Sequence, residues 1–243
     1  AAIMRWAPTT IAALHRDVCE HSLDVVSSAK ASSGPGASRR KRSAERDVAI
    51  IGMACLLPGA RDVVAYWRNI MRGVDAMREV SVDRWEPDIL FDPKRGPDKI
   101  YSKWGGFLDD VPFDPTRYGI PPASLRSIEP MQLLALETTR RALEDAMLDR
   151  RPFDKHRAAA IFGAGGLHDM GIAYIFRTEI ERYLARAPGL AEEKRREIVN
   201  ALYANELPQW SVDSFPGFLG NVVAGRVANR FDLGGANFTV DAA

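Results

Sequence analysis

Val48-Ala49-Ile50-Ile51-Gly52-Met53 (VAIIGM) is the stretch that decides the fold class. It is apolar at odd and even positions alike, so a strand built from it needs cover on both faces, as in the centre of a parallel sheet. A second run of this kind, Ala158-Ala159-Ala160-Ile161-Phe162, leads into Gly163-Ala164-Gly165-Gly166, and a third, Asn237-Phe238-Thr239-Val240-Asp241, precedes Ala242 and Ala243. The intervals carry helical periodicity. Residues 61–73 set Val64, Trp67, Ile70 and Met71 on one face. Residues 127–148 are the clearest helix, with Ser127 as cap, Glu129 near the N-terminus, and Met131, Leu134, Leu143 and Met147 inward. Two charged helices follow over 171–186 and 190–205, and Phe215 to Phe231 reads as a glycine-punctuated helix. Buried strands alternating with helices predict an α/β domain. The stretch 74–123, rich in Pro, Asp, Gly and aromatics, reads as a long irregular segment, which in a compact domain is functional or an interface.

Upstream of this body, residues 9–29 place Ile11, Leu14, Val18, Leu23 and Val26 at helical steps behind Thr9 or Thr10 as cap. Residues 31–46 combine small residues, Gly-Pro-Gly and Arg39-Arg40-Lys41-Arg42. That composition cannot bury a core and reads as a solvated, mobile tether rather than a site for RNA or a membrane surface. The expected organisation is therefore 1–30 as an amphipathic helix trailing a preceding region, 31–46 as a flexible basic linker, and 47–243 as the folded body.

Composition bounds the function. Among 243 residues, 33 Lys and Arg oppose 32 Asp and Glu, a net charge of +1, which argues against a globally basic nucleic-acid binder. No run of about 18 apolar residues occurs, so no membrane-spanning helix is expected. Two cysteines, Cys19 and Cys55, exclude a disulfide scaffold and favour the cytoplasm. The N-terminus has no signal-peptide core, and without Met at position 1 the chain reads as an excised piece.

Few residues suggest chemistry by themselves. The Gly163–Gly166 turn matches neither G-x-G-x-x-G nor G-x-x-x-x-G-K-[ST], so its glycines read as a tight strand exit with close backbone packing. His15, Cys19 and His21 lie within one short helix and cannot by themselves build a tetrahedral site, so no metal is expected. His156 and His168 fall in loops with no nearby nucleophile, and Cys55, just past a buried strand, reads as a small core residue.

Five motifs in fixed order carry a resemblance: DVAIIGMACLLPG (47–59); Gly105-Gly106-Phe107 with Phe113-Asp114-Pro115; Glu129-Pro130-Met131-Gln132 followed by Leu133-Leu134; GNVVAGRVANRFDLGG (220–235); and Thr239-Val240-Asp241-Ala242-Ala243. The set resembles the N-terminal half of a β-ketoacyl synthase (ketosynthase) domain of a multidomain polyketide or fatty-acid synthase. The segments PDKIYSKWGGF (97–107) and SFPGFLGNVVAGRVANRFDLGG (214–235), and the long charged stretch 171–213, look most like the polyunsaturated-fatty-acid and heterocyst-glycolipid types.

The resemblance implies a thiolase-like fold, layered α-β-α-β-α in the complete domain, of which this chain is the N-terminal half. It implies an acyltransferase of the 3-oxoacyl-[acyl-carrier-protein] synthase type, which joins an acyl thioester to malonyl-carrier protein by decarboxylative Claisen condensation. It also implies a homodimer working with acyl carrier protein, whose phosphopantetheine bears the acyl group, and no cofactor bound by this domain itself. The family nucleophile is a cysteine, expected immediately after Ala243, and two histidines follow further downstream. None of His15, His21, His156 and His168 matches them, so no catalytic residue transfers onto the chain and the fragment alone is expected to be inactive. Phe215, Phe218, Asn221 and Val222 fall where relatives line the acyl pocket or pack at the dimer interface, and Ala242 and Ala243 would abut the nucleophile. Glu129–Gln132 reads as a helix start near that interface. Residues 171–213 are expected to form an external helical excursion that contacts the carrier protein or the partner subunit. Two other readings are a chain-length-factor-like partner, which keeps the fold without the cysteine, and a nucleotide-binding α/β domain.

Overall fold

The computed structural model describes residues 48–165 and 169–241. The readings for 1–30 and 31–46, and for His168, Ala242 and Ala243, lie outside the described residues. The chain divides into one unit of residues 1–49 and another of 50–243, and the second carries the fold.

Helix α1 (Val63–Met71) is capped by Asp62, whose Oδ1 accepts from the Ala65 N–H at 2.7 Å. The irregular segment after it holds two short antiparallel strands, β1 (Arg78–Glu79) and β2 (Trp104–Gly105), around a helical turn, α2 (Pro87–Leu90). Two 3-10 turns, Pro115–Tyr118 and Pro122–Ser127, lead to the long helix α3 (Pro130–Asp145). Next come β3 (Ala160–Gly163), the helices α4 (Asp169–Leu184) and α5 (Glu192–Asn205), the short α6 (Ser214–Phe218), α7 (Val222–Phe231) and β4 (Asn237–Val240).

β3 and β4 pair in parallel, with Ile161 opposite Phe238 and Phe162 opposite Thr239. α7 packs on both strands and on α3. Its buried Val227 and Ala228 meet Tyr118, Ile120, Ile128, Leu136 and Ala160, with Phe113, Phe162 and Leu233 around them. The double glycine after α7 has a steric reason. The N–H of Gly234 donates to Lys155 O and that of Gly235 to Ala158 O, and a Cβ on Gly235 would stand 2.5 Å from Ala158 O. Only glycine lets the chain pass so close before it enters β4. Of the glycines read at 163–166 as a close-packed strand exit, Gly165 is close-packed, since a Cβ there would overlap the Asp241 carboxylate, Gly163 has open space beside it, and Gly166 lies outside the described residues.

Several expectations need correction. Val48–Met53 forms no strand: Val48 is 94% exposed, and the segment is held where the Met53 N–H donates to Asp145 Oδ2 at 2.8 Å. A Cβ on Gly52 would sit 2.5 Å from Ala142 O, so Gly52 and Met53 lie against the end of α3, with no strand alongside them among the described residues. A run apolar on both faces needs strand neighbours before it can pair. The apolar face of α1 is also open among the described residues, with Val64, Trp67 and Met71 exposed. The cap of α3 is Glu129, one residue before Pro130, because proline is favoured in the first turn. Ser127 instead lies buried in the preceding 3-10 turn. The buried residues of α3 are Gln132, Leu136 and Glu137; Met131, Leu134 and Leu143 are half-buried, while Met147 lies past the helix end at φ 57° and is exposed. The Phe215–Phe231 helix is two helices, broken where Leu219 turns extended.

Candidate functional site: an aromatic wall held by a buried amide

α6 places Phe215 and Phe218 side by side, with ring centroids 5.4 Å apart. Trp210 lies 5.4 Å from Phe215 and 6.3 Å from Phe218, and Tyr174 of α4 stacks at 4.4 Å from Trp210. The four rings form one wall. Its inner member, Tyr174, is buried, while Phe215 and Trp210 keep exposed surface. The base of the wall is polar and satisfied. The fully buried Ser214 hydroxyl donates to the Tyr174 phenol oxygen at 2.8 Å and accepts from the Ser211 N–H at 2.9 Å. Ser211 Oγ reaches Ser127 Oγ at 3.1 Å. α6 is thereby tied to α4 and to the turn before α3.

A second tie comes from α3. Gln132, 1% exposed, points its Nε2 at the carbonyls of Pro216, Gly217 and Leu219, at 2.9, 2.8 and 3.1 Å. Its Oε1 accepts from Arg226 Nε of α7 at 2.6 Å. Burial pulls the Arg226 guanidinium below the usual arginine value, and the Asp213 carboxylate partly offsets this. Backbone docks on backbone beside it: the Glu129 N–H donates to Gly217 O at 2.9 Å, and a Cβ on Gly217 would overlap Ser127 O. Glu129 Oε2 accepts from the Met170 N–H at 3.2 Å, at the start of α4.

Of the residues expected at a site, Phe215 and Phe218 come together in this wall. Asn221, exposed, and Val222, half-buried, stand at the start of α7 across the break from Phe218, and the Asn221 side chain makes no cap hydrogen bond. Tyr174, Trp210, Ser214 and Arg226 were not expected there, and Gln132 was expected only as part of a helix start near the interface. One signal for Gln132 was present in the sequence: a lone amide in the otherwise apolar run Met131-Gln132-Leu133-Leu134. The arrangement offers apolar area to a hydrocarbon chain or a protein surface and has no nucleophile among its described residues. Cys55 is a half-buried thiol outside it, raised in pKa by burial and then by the Asp62 carboxylate, with Arg141 opposing. The described residues hold no cluster of His, Cys, Asp or Glu suited to a metal ion.

The profile of the β-ketoacyl synthase N-terminal domain matches residues 45–243. This chain belongs to the β-ketoacyl synthase family. It is 36% identical over 213 residues to a polyunsaturated fatty acid synthase of Thraustochytrium sp., a match spanning 85% of this chain and 8% of that protein. It is 41% identical over 131 residues to the polyketide synthase ThaQ of Burkholderia thailandensis, across 50% of this chain and 6% of ThaQ. The chain thus spans less than a tenth of the length of these relatives. Among solved structures, the oxazolomycin ketosynthase domain OzmH KS7 of Streptomyces albus superposes with TM-score 0.52 at 27% identity, covering 79% of this chain and 28% of that one. The PfaC keto synthase–chain length factor superposes with TM-score 0.62 at 22% identity, over 80% of this chain and 21% of its own, and bears on fold alone. The ketosynthase fold is thiolase-like.

Proposed function

We propose that residues 47–243 are the N-terminal half of a condensing β-ketoacyl-[acyl-carrier-protein] synthase domain, of the polyunsaturated-fatty-acid-synthase kind, within a longer synthase. The family match over residues 45–243 is the observation that carries this reading. The 213-residue alignment with a polyunsaturated fatty acid synthase, against 131 residues with ThaQ, favours that subgroup. In the parent, residue 244 is the nucleophilic cysteine, delivered by β4 and by Ala242 and Ala243. Opening a helix there lowers a thiol pKa and supplies N–H donors for an oxyanion. The thiolate attacks the acyl–phosphopantetheine thioester of a carrier protein and releases the pantetheine thiolate. Malonyl on a second carrier loses carbon dioxide, and the resulting carbanion attacks the cysteinyl thioester. The carbon–carbon bond forms as the cysteine thiolate leaves, with two downstream histidines assisting.

In this reading Phe215, Phe218, Asn221 and Val222 line the acyl pocket or the dimer interface. The parent is a cytoplasmic homodimer that works with acyl carrier protein and neither binds nucleic acid nor spans a membrane. The α4–α5 pair faces the carrier protein or the second protomer. The test is to incubate the parent synthase with acyl-pantetheine and map the adduct by mass spectrometry. Acylation of a cysteine at position 244 supports the proposal. A different residue there, with no adduct, overturns it and leaves the chain-length-factor-like partner.

A further inference from the structure

We propose that Gln132 is a positioning residue for condensation: its buried amide fixes the aromatic wall relative to the start of α7 and so sets which acyl lengths the site accepts. This rests on the reading of Phe215, Phe218, Asn221 and Val222 as pocket lining. The last carbonyls of any helix lack intrahelical partners. α6 has only five residues and ends at Phe218, so its backbone cannot satisfy itself. Here the Gln132 amide of α3 donates to Pro216, Gly217 and Leu219 O, beside the Glu129 N–H on Gly217 O and the Val222 N–H on Leu219 O. Three carbonyls within 3.1 Å of one amide nitrogen share its two N–H groups, and the Arg226 Nε–H at 2.6 Å fixes which end of the amide is the oxygen.

The three helices meet at this one group. Gln132 comes from α3, the accepting carbonyls belong to the segment bearing Phe218 and Leu219, and Arg226 stands on α7, which begins beside Asn221 with Val222. Leu219 is the extended residue between α6 and α7, so the amide sets both the break and the spacing of its two sides. A displacement of about 1 Å at positioning groups alters catalysis strongly, and one methylene more or less in an apolar pocket changes specificity about 10- to 200-fold.

The experiment uses the intact parent synthase and measures kcat/KM for cysteine acylation by butanoyl- and hexadecanoyl-pantetheine. Gln132→Glu keeps the shape and the acceptor for Arg226 but sets carboxylate oxygen against three carbonyls. Arg226→Lys removes the Nε donor and frees the amide to turn. The expected result is that Gln132→Glu changes the long-to-short ratio by about fivefold or more. Arg226→Lys changes it in the same direction by less, and at least one length is still loaded. Phe215→Ala and Phe218→Ala are run alongside. If they alter the ratio while both Gln132→Glu and Arg226→Lys keep it within about twofold, the inference is wrong, whatever the melting temperatures do, because a purely structural amide lowers stability without changing selectivity. If the Phe variants leave the ratio unchanged, the pocket reading fails and this inference with it. Should Gln132→Glu not fold, Arg226→Lys alone decides.

Discussion

Glu137 is the anion at the centre of a charged cluster on α3. Burial alone would raise its pKa, but hydrogen bonds from Arg140, Tyr118 and Arg141 outweigh burial and hold the carboxyl at about 2, against an ordinary value of 4.5. Arg140 Nη2 and Arg141 Nε both reach Oε1 at 2.7 Å, and the Tyr118 hydroxyl donates to Oε2 at 2.5 Å. Arg141 Nη1 then donates to Arg61 O, fastening α3 to the chain before α1. Burial and then the Glu137 carboxylate push the Tyr118 phenol up to about 12. A carboxyl depressed on folding contributes stability that is complete above its unfolded pKa and is lost as pH falls towards the folded one. The difference in melting temperature between the parent domain and Glu137→Gln should therefore be constant near neutrality and shrink between about pH 4.5 and pH 2. At neutral pH the substitution takes the Glu137 anion from Arg140 and Arg141, of which Arg140 keeps Glu144, and should cost about 3 kcal/mol. A gap that widens in acid would contradict this. Gly217 has a steric role: its missing Cβ is the space Ser127 O occupies, so Gly217→Ala should cost about 3 kcal/mol. Denaturant unfolding measures that, and a loss below about 1 kcal/mol would mean α6 can lift off α3 freely.

Among the elements, those whose pattern depends on neighbours close in sequence were legible. The helices read at 171–186 and 190–205 occur at Asp169–Leu184 and Glu192–Asn205, and the strand read at 237–241 occurs at Asn237–Val240. Residues 74–123 are as irregular as their Pro and Gly content implies. Elements that need distant neighbours were not legible. Val48–Met53 has strand composition but no strand partner among the described residues, and the end of α6 is bonded to an amide 85 residues earlier. Of the aromatic wall, Phe215 and Phe218 were singled out by family resemblance as candidate pocket or interface residues, whereas Tyr174 and Trp210 join them only through tertiary contact. The α4–α5 pair also has an internal clasp. Arg177 stacks over the Tyr203 ring at 4.1 Å and donates to Leu207 O at 3.1 Å, while the Tyr203 hydroxyl donates back to Arg177 O at 2.9 Å. Arg177→Ala should weaken the pair by about 1–2 kcal/mol. Amide hydrogen exchange should then rise across α5 and stay unchanged in α7. Equal acceleration in both helices would show that the clasp serves the whole domain.

At the scale of the molecule, the sheet determines how the polypeptide behaves alone. Register places Ala160 and Phe162 on the face that meets the core, and Ile161, Phe238 and Val240 on the other. That second face is open, with these three side chains 59%, 47% and 42% exposed. Ile50, Ile51, Trp67 and Met71 add further apolar surface with no cover among the described residues. Parallel strands persist when layers cover both faces. Fully burying one side chain of this class is worth about 1.5–3 kcal/mol, so leaving seven wet forfeits an amount comparable to the roughly 5–15 kcal/mol by which a typical domain is stable. Expressed alone, residues 1–243 should therefore self-associate or melt without a cooperative transition, and should load no acyl group. Size-exclusion chromatography, calorimetry and an acyl-loading assay test the three parts separately. A soluble monomer with one sharp calorimetric transition would show that α3, α7 and the inner sheet face form a sufficient core. Acyl loading by that monomer would require another nucleophile, and Cys55 would be the first thiol in the body to replace. Its raised pKa leaves it protonated near neutrality and a poor candidate for that role.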